Sequence, residues 1–437
     1  MHHSSGIMSM VATVAATTVG GLALSTEPAP AASAGFYLHD GDSVVMLGDS
    51  ITDQCFYTMY VETYVTTRFP QLKITWTPAG WSGDSVRVAT NRLDRDVIPY
   101  QPTVLTVMLG MNDAGYKEFD QKLFDTYTSG YATMLKTVRA ACPSVRYTLL
   151  VPSPFDEING GQKCPGGYNA VLLRYGQSLL PLVASTGGLL ADFNAPMTAM
   201  LQKAHDKDAK IAKQIIPDQV HPSAAGHLVM AESLLKAWNA PALVSAVVLD
   251  AAAKTQVKAD NTQISRLTFH DRIEWNQMDK ALPMPYSQDK NDAVTALVIA
   301  SCDFVQSLDQ ETLQVTGLAA GNYEFFIDAQ PEGHFSSEQL TEGLNLATMF
   351  TPMSWQARQV QTLVRSRQAW HAASYQGIIS PLLQDYDAFS SWNAGEEGRA
   401  RRKAFYQTML ATDQVMLEME RTAAVPVLHH YSLIPVK

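Results

Sequence analysis

The run Ser43-Val44-Val45-Met46-Leu47-Gly48-Asp49-Ser50-Ile51-Thr52 decides how the rest of the chain reads. Val44 to Leu47 are apolar, the first two β-branched, without polar alternation, the pattern of a strand buried on both faces. Gly48 then allows a sharp turn, which sets Ser50 at the carboxyl edge of the sheet, where open α/β folds bind ligands. A hydroxyl at that edge is exposed and can be aimed, but it needs a base before it is a useful nucleophile at neutral pH.

Outward from this run, apolar stretches alternate with longer helical ones. Lys73–Thr77, Val104–Leu109, Val145–Val151 and Gly188–Phe193 read as further buried strands. Between them Phe56–Phe69, Val86–Ile98, Phe119–Ala141, Tyr168–Ser185 and Ser223–Ala237 read as helices. Such alternation predicts a doubly wound α/β domain over residues 36–240.

Beyond Trp238 the pattern changes. Leu243–Asp250, Ile264–Phe269, Ala296–Ser301, Leu313–Val315 and Tyr323–Asp328 are expected strands, giving a β-rich region over 241–330. Ser337–Leu346, Trp355–Gln376 and Glu396–Arg421 are expected helices in a region spanning 331–437.

The base for Ser50 emerges by elimination. Of the eleven histidines only His221 has an aspartate three positions earlier, in Asp218-Gln219-Val220-His221-Pro222. A carboxylate so placed holds the imidazole tautomer and stabilises the imidazolium formed when serine gives up its proton. Gly110-Met111-Asn112-Asp113 directly follows the third strand, and Asn112 offers a side-chain amide to a developing oxyanion. Gly83, in Gly80-Trp81-Ser82-Gly83-Asp84-Ser85, offers an unshielded backbone N–H, and the N–H of Ser50 is a third donor.

These blocks have rivals within the chain. Gly83-Asp84-Ser85 repeats the tripeptide, but Ser85 follows no apolar run and reads as a helix start. His227 reads as packing or capping. Trp81, Met111 and Phe155 fall near the expected site, either as acyl-pocket lining or as core.

In this order the blocks resemble the SGNH hydrolases, the GDSL-like esterases and lipases, over about residues 42–240. The family's Ser, Gly, Asn and His match Ser50, Gly83, Asn112 and His221, and its aspartate matches Asp218. The motif reads Gly-Asp-Ser-Ile where the family's nickname has leucine. The resemblance implies a flavodoxin-like three-layer α/β/α fold and ester hydrolysis without metal or organic cofactor. No G-x-S-x-G, H-E-x-x-H or G-x-G-x-x-G pattern competes.

Composition narrows the partners. A 46% hydrophobic and 17% charged chain with a net charge of −10 describes a folded protein without the basic surface that nucleic acid requires. The short basic run Arg399-Ala400-Arg401-Arg402-Lys403 reads as a solvated helix face. Val11–Leu24 followed by Ala32-Ser33-Ala34 reads as an export signal within residues 1–34, predicting a secreted or periplasmic enzyme. No later segment is apolar for long enough to span a membrane. Of Cys55, Cys142, Cys164 and Cys302, the second and third are the first candidate disulfide, with buried free thiols as the alternative. Export and a second region favour a carbohydrate ester as substrate. A lipid ester, or a non-catalytic carbohydrate-binding role on the same fold, are the competing readings.

Overall fold

The computed structural model describes residues 35–287, 291–374 and 395–436. The expected export signal in residues 1–34 lies outside the described residues, as do the last two positions of the helix expected at 355–376.

Strand β1 (Ser43–Gly48) runs into a one-turn helix, α1 (Ser50–Asp53), then α2 (Phe56–Arg68) and β2 (Thr75–Gly80). The expected single helix at 86–98 is broken into α3 (Val86–Asn91), α4 (Leu93–Asp96) and a 3₁₀ turn, ahead of β3 (Val104–Met108). Helix α5 (Gln121–Ala141) leads to β4 (Arg146–Val151), followed by α6 (Glu157–Gly160), α7 (Tyr168–Gln177), α8 (Leu180–Thr186) and β5 (Leu189–Asp192). Helices α9 (Asn194–Ala212) and α10 (Ala224–Ala237) complete this part. The sheet order is β2-β1-β3-β4-β5, parallel throughout. Right-handed crossovers put α2 and α10 on one face and α3, α5 and α7 on the other. The result is a three-layer α/β/α sandwich with β1 and β3 at its switch point.

The helices show why the layers close. Helix α5 buries Tyr127, Tyr131, Met134, Leu135 and Val138 on one face, and Asp120 caps it by accepting from the amides of Lys122 and Leu123. Helix α2 has no such polarity. Its residues are buried on nearly every side, although Thr, Val and Tyr are indifferent helix formers. A helix of this kind needs cover on its outer side as well. A late helix, Pro352–Ser374, supplies it.

The second part begins at β6 (Leu243–Asp250), followed by β7 (Thr255–Asp260), β8 (Thr262–Phe269), β9 (Ile273–Asp279), α11 (Ala293–Ile299) and α12 (Phe304–Leu308). Then come β10 (Gln310–Thr316), β11 (Asn322–Ile327), β12 (Gln330–Ser336), α13 (Ser337–Glu342), β13 (Leu344–Asn345), α14 (Pro352–Ser374), α15 (Gly395–Ala423) and β14 (His429–Pro435). Two sheets form, ordered β13-β10-β6-β7 and β12-β11-β14-β9-β8. Their facing sides share a core of Val247, Leu249, Leu313 and Val315 against Trp275, Phe325, Tyr431 and Leu433.

Several expectations need correction. Ala296–Ser301 is not a strand: it falls largely in α11, where Asp292 caps the amide of Thr295 and the apolar residues recur at helical spacing. The second strand starts two residues later than expected and runs to Gly80. The region expected to be helical from Ser337 onward carries β14, which pairs with β9 and β11 in the middle of a sheet. The disulfide between Cys142 and Cys164 is not formed. Cys142 packs in the apolar core at the end of α5, Cys164 lies in the loop before α7, and all four thiols are free.

Arg68, at the end of α2, joins the two parts by donating to the carbonyls of Pro241, Ala242, Leu243 and Leu308 and to Asp309. Among the described residues no helix is long and apolar enough to cross a membrane.

Candidate active site

The carboxyl ends of three adjacent strands, β2, β1 and β3, deliver Gly83, Ser50 and Asn112 to one edge of the sheet. At the centre, Asp49 caps α1 by accepting from the Ile51 amide at 3.0 Å, so Ser50 opens a helix. Glycine is required on both sides of it. A Cβ at Gly48 would lie 2.0 Å from Thr52 Oγ1, and one at Gly80 would lie 2.2 Å from the Asp53 amide nitrogen. Helix α1 can therefore sit directly on the strand ends.

Asp218 and His221 come from the loop between α9 and α10. Asp218 Oδ1 accepts from the amides of Val220 (3.0 Å) and His221 (2.7 Å), and Oδ2 accepts from His221 Nδ1 at 2.7 Å. Nε2 is then the acceptor for the Ser50 hydroxyl, 2.7 Å away. Burial pushes the Asp218 carboxyl up, but the bonds from the His221 main chain and ring outweigh it and hold it below the usual range. Gln219 takes a left-handed φ of 70° and pins this loop by donating to the carbonyls of Asp156 (2.9 Å) and Gly161 (2.8 Å). The His221 and Asp218 side chains are 35% and 55% exposed, so the pair faces solvent.

Gly83 has a φ of 79°, and a Cβ there would meet nothing within 4 Å; the conformation, and not crowding, asks for glycine. Neither its N–H nor that of Ser50 has a hydrogen-bond partner among the described residues. Asn112 Nδ2 donates to the Asp84 carbonyl at 2.8 Å, and Oδ1 accepts from the Tyr116 hydroxyl at 3.0 Å. Asp113 Oδ1 accepts from the Val86 amide, and the Trp81 amide donates to the Gly48 carbonyl. The three loops are thus tied to one another.

Beneath them lies Arg92, which the sequence reading passed over. Its guanidinium donates to Asp84 (2.6 and 2.8 Å), Asp96 (2.8 Å) and the carbonyls of Gly48 (3.2 Å) and Ala79 (2.9 Å). A signal existed: Arg92 and Asp96 stand four apart, on the same helical face as the apolar Ala89 and Leu93. Burial, with the neighbouring carboxylates, pushes Asp49 and Asp113 up to about 7 and Asp84 to about 6.

The rivals separate cleanly. His227 is buried, accepts from the Tyr57 amide, donates to Gln54 and stacks on Tyr57; burial, with the charge of His221, lowers it to about 3. It is a neutral packing residue. Ser85 is the N-cap position of α3. Met111 and Phe155 are core, while Trp81 stays partly exposed with the Arg95 guanidinium 5.1 Å from its ring centroid. Among the described residues, no group of three or more His, Cys, Asp or Glu is arranged to hold a metal ion.

A parallel sheet of this order, with serine, glycine and asparagine on three neighbouring strand ends, defines an SGNH-type hydrolase domain. Residues 46–229 match the GDSL-like Lipase/Acylhydrolase family, and the chain is a carboxylic ester hydrolase. An acetylxylan esterase of Geobacillus stearothermophilus is 28% identical over 215 residues, which is 45% of this chain and 93% of that protein. The solved structure of a gut microbial diltiazem-metabolizing enzyme matches at a TM-score of 0.78 and 27% identity, over 91% of this chain and 98% of its own. The second part of the fold is therefore shared beyond this chain.

Proposed function

We propose that the chain is an exported serine esterase that removes acetyl or other short acyl groups from carbohydrate, with Ser50, His221 and Asp218 as its catalytic triad. The observation that carries this reading is the unbroken relay Asp218–His221–Ser50, each link 2.7 Å long. Ser50 Oγ attacks the ester carbonyl while His221 Nε2 takes its proton. Asp218 holds the tautomer and offsets the imidazolium charge. The oxyanion is received by the N–H groups of Ser50 and Gly83 and by Asn112 Nδ2. His221 then protonates the leaving alcohol, and water repeats the cycle on the acyl-enzyme. Carbohydrate is favoured by the relative that acts as an acetylxylan esterase and by a relay open enough to meet an ester on a bulky carrier. Export rests on the small apolar stretch and small-residue site within residues 1–34.

The test measures turnover of p-nitrophenyl esters of increasing chain length beside acetylated xylan. Acetyl esters and acetylated xylan are expected to be preferred. Ser50→Ala should lower kcat on the order of 10⁴-fold or more, and Ser85→Ala should leave it largely intact. His221→Ala should also abolish the acid limb of the pH profile, because protonated imidazole is no base. Persistent turnover in Ser50→Ala would overturn the mechanism, and a preference for long acyl chains would favour a lipid ester.

A further inference from the structure

Tyr116 belongs to none of the sequence blocks, yet its hydroxyl is the group that meets Asn112 Oδ1, at 3.0 Å. The amide of Asn112 is held at both ends. One hydrogen on Nδ2 goes to the Asp84 carbonyl, which fixes the orientation, since a reversed amide would set oxygen against oxygen there. The second hydrogen is left for substrate. Donation into Oδ1 draws electron density toward the amide oxygen and makes the remaining N–H a stronger donor.

We propose that Tyr116 is a positioning residue of the oxyanion site, acting through Asn112 by orienting and polarising its amide. This rests on the reading of Asn112 as an oxyanion donor. The tyrosine is itself fixed in place. Its backbone has a left-handed φ of 56°, and its ring stacks on Tyr168 with centroids 5.2 Å apart. Tyr168 is in turn braced by Phe155, edge-on at 5.5 Å, and by a bond from its hydroxyl to the Met111 carbonyl. Burial, with the negative charges of Asp49 and Asp218, raises the Tyr116 hydroxyl to about 12, so it stays a donor wherever the enzyme works.

A hydroxyl acting in this way matters most when charge develops on the substrate oxygen, so its removal should appear in kcat and not in KM. Tyr116→Phe keeps the stacked ring and deletes only the donor. Its kcat is expected to fall about three- to tenfold, the range for one neutral hydrogen bond, with KM within about twofold. The decisive measurement is a double-mutant cycle with Asn112→Ala, using one soluble acetyl ester. Once Asn112 is gone, adding Tyr116→Phe should change kcat little. If Asn112→Ala keeps wild-type kcat, the underlying reading of Asn112 fails. If Asn112→Ala loses about 10²-fold or more while Tyr116→Phe equals wild type, that reading stands and this inference fails. An equal loss from Tyr116→Phe in both backgrounds, or a loss confined to KM, would also overturn it, because the hydroxyl would then act on substrate or fold directly.

Discussion

Arg92 and Arg367 are both buried, and both meet more than one carboxylate, yet they organise the molecule on different scales. Arg92 binds Asp84 and Asp96, eight and four residues away, and reaches the carbonyls at the ends of β1 and β2. Arg367, on α14, binds Glu62 on α2, 305 positions away, with Asp413 and Glu420 on α15 and the Trp76 carbonyl on β2. One guanidinium holds the ends of β1 and β2 and fixes Asp84, whose carbonyl in turn accepts from Asn112. The other fastens two late helices over the α/β sheet and supplies the cover that α2 needs. A buried ion pair is thus no single kind of device, because what its partners are attached to decides what its loss does.

The comparison predicts different failures for similar substitutions. Arg92→Met should have the largest effect. It strands Asp84 in the interior, at a cost of about 3–5 kcal/mol, and loosens the Gly83–Asp84 turn on which Asn112 rests. A misplacement of about 1 Å at such a site costs about 10²-fold in rate, so kcat of the folded enzyme should fall by that order. Arg367→Met should destabilise by a similar ~3–5 kcal/mol, seen in denaturant midpoints, while the folded fraction keeps wild-type kcat. Equal losses of kcat in the two variants would erase the distinction.

The smallest effect is expected from Glu420→Gln in acid. Burial and the neighbouring Glu62 raise the Glu420 carboxyl to about 9. The folded chain therefore holds a proton that an unfolded glutamate releases above ~4.3. This contribution is complete below that value and is lost as pH rises through about 9. Glu420→Gln should thus differ from wild type by less than about 1 kcal/mol near pH 4 and gain on it steadily toward pH 9, with kcat unchanged. A constant gap across denaturant melts at several pH values would contradict the raised carboxyl.

What could be read from sequence follows from range. Ser50, Gly83, Asn112, Asp218 and His221 each sit in a short motif beside a strand or helix boundary, so local pattern is enough to single them out as candidates. The five strands of the α/β sheet were legible because apolar runs such as Val104–Leu109 have few other uses. Strands β7 and β12 were missed because their residues are largely polar and lie at or near sheet edges, with little apolar alternation to see. Helix α9 was missed as well, although Met197, Met200, Leu201 and Ala204 recur at helical spacing and are buried. Tyr116 was invisible for another reason: its role depends on a contact with Asn112 inside a loop whose shape no periodicity encodes.

The position of β14 has a consequence for how the molecule is made. This strand lies between β9 and β11, and its His430 meets Asn276 from 154 positions away. Until it arrives, the sheet consists of two separate hairpins, β8–β9 and β11–β12, and an isolated hairpin is marginal in water. Domains form from the amino end as a chain emerges from the ribosome. The five-stranded parallel sheet can thus form early in synthesis, with α2 still lacking the cover of α14, while the second sheet waits, edges open, for a strand translated long after its partners. During that interval the unpaired edges of β9 and β11 are the places where a wrong strand would add.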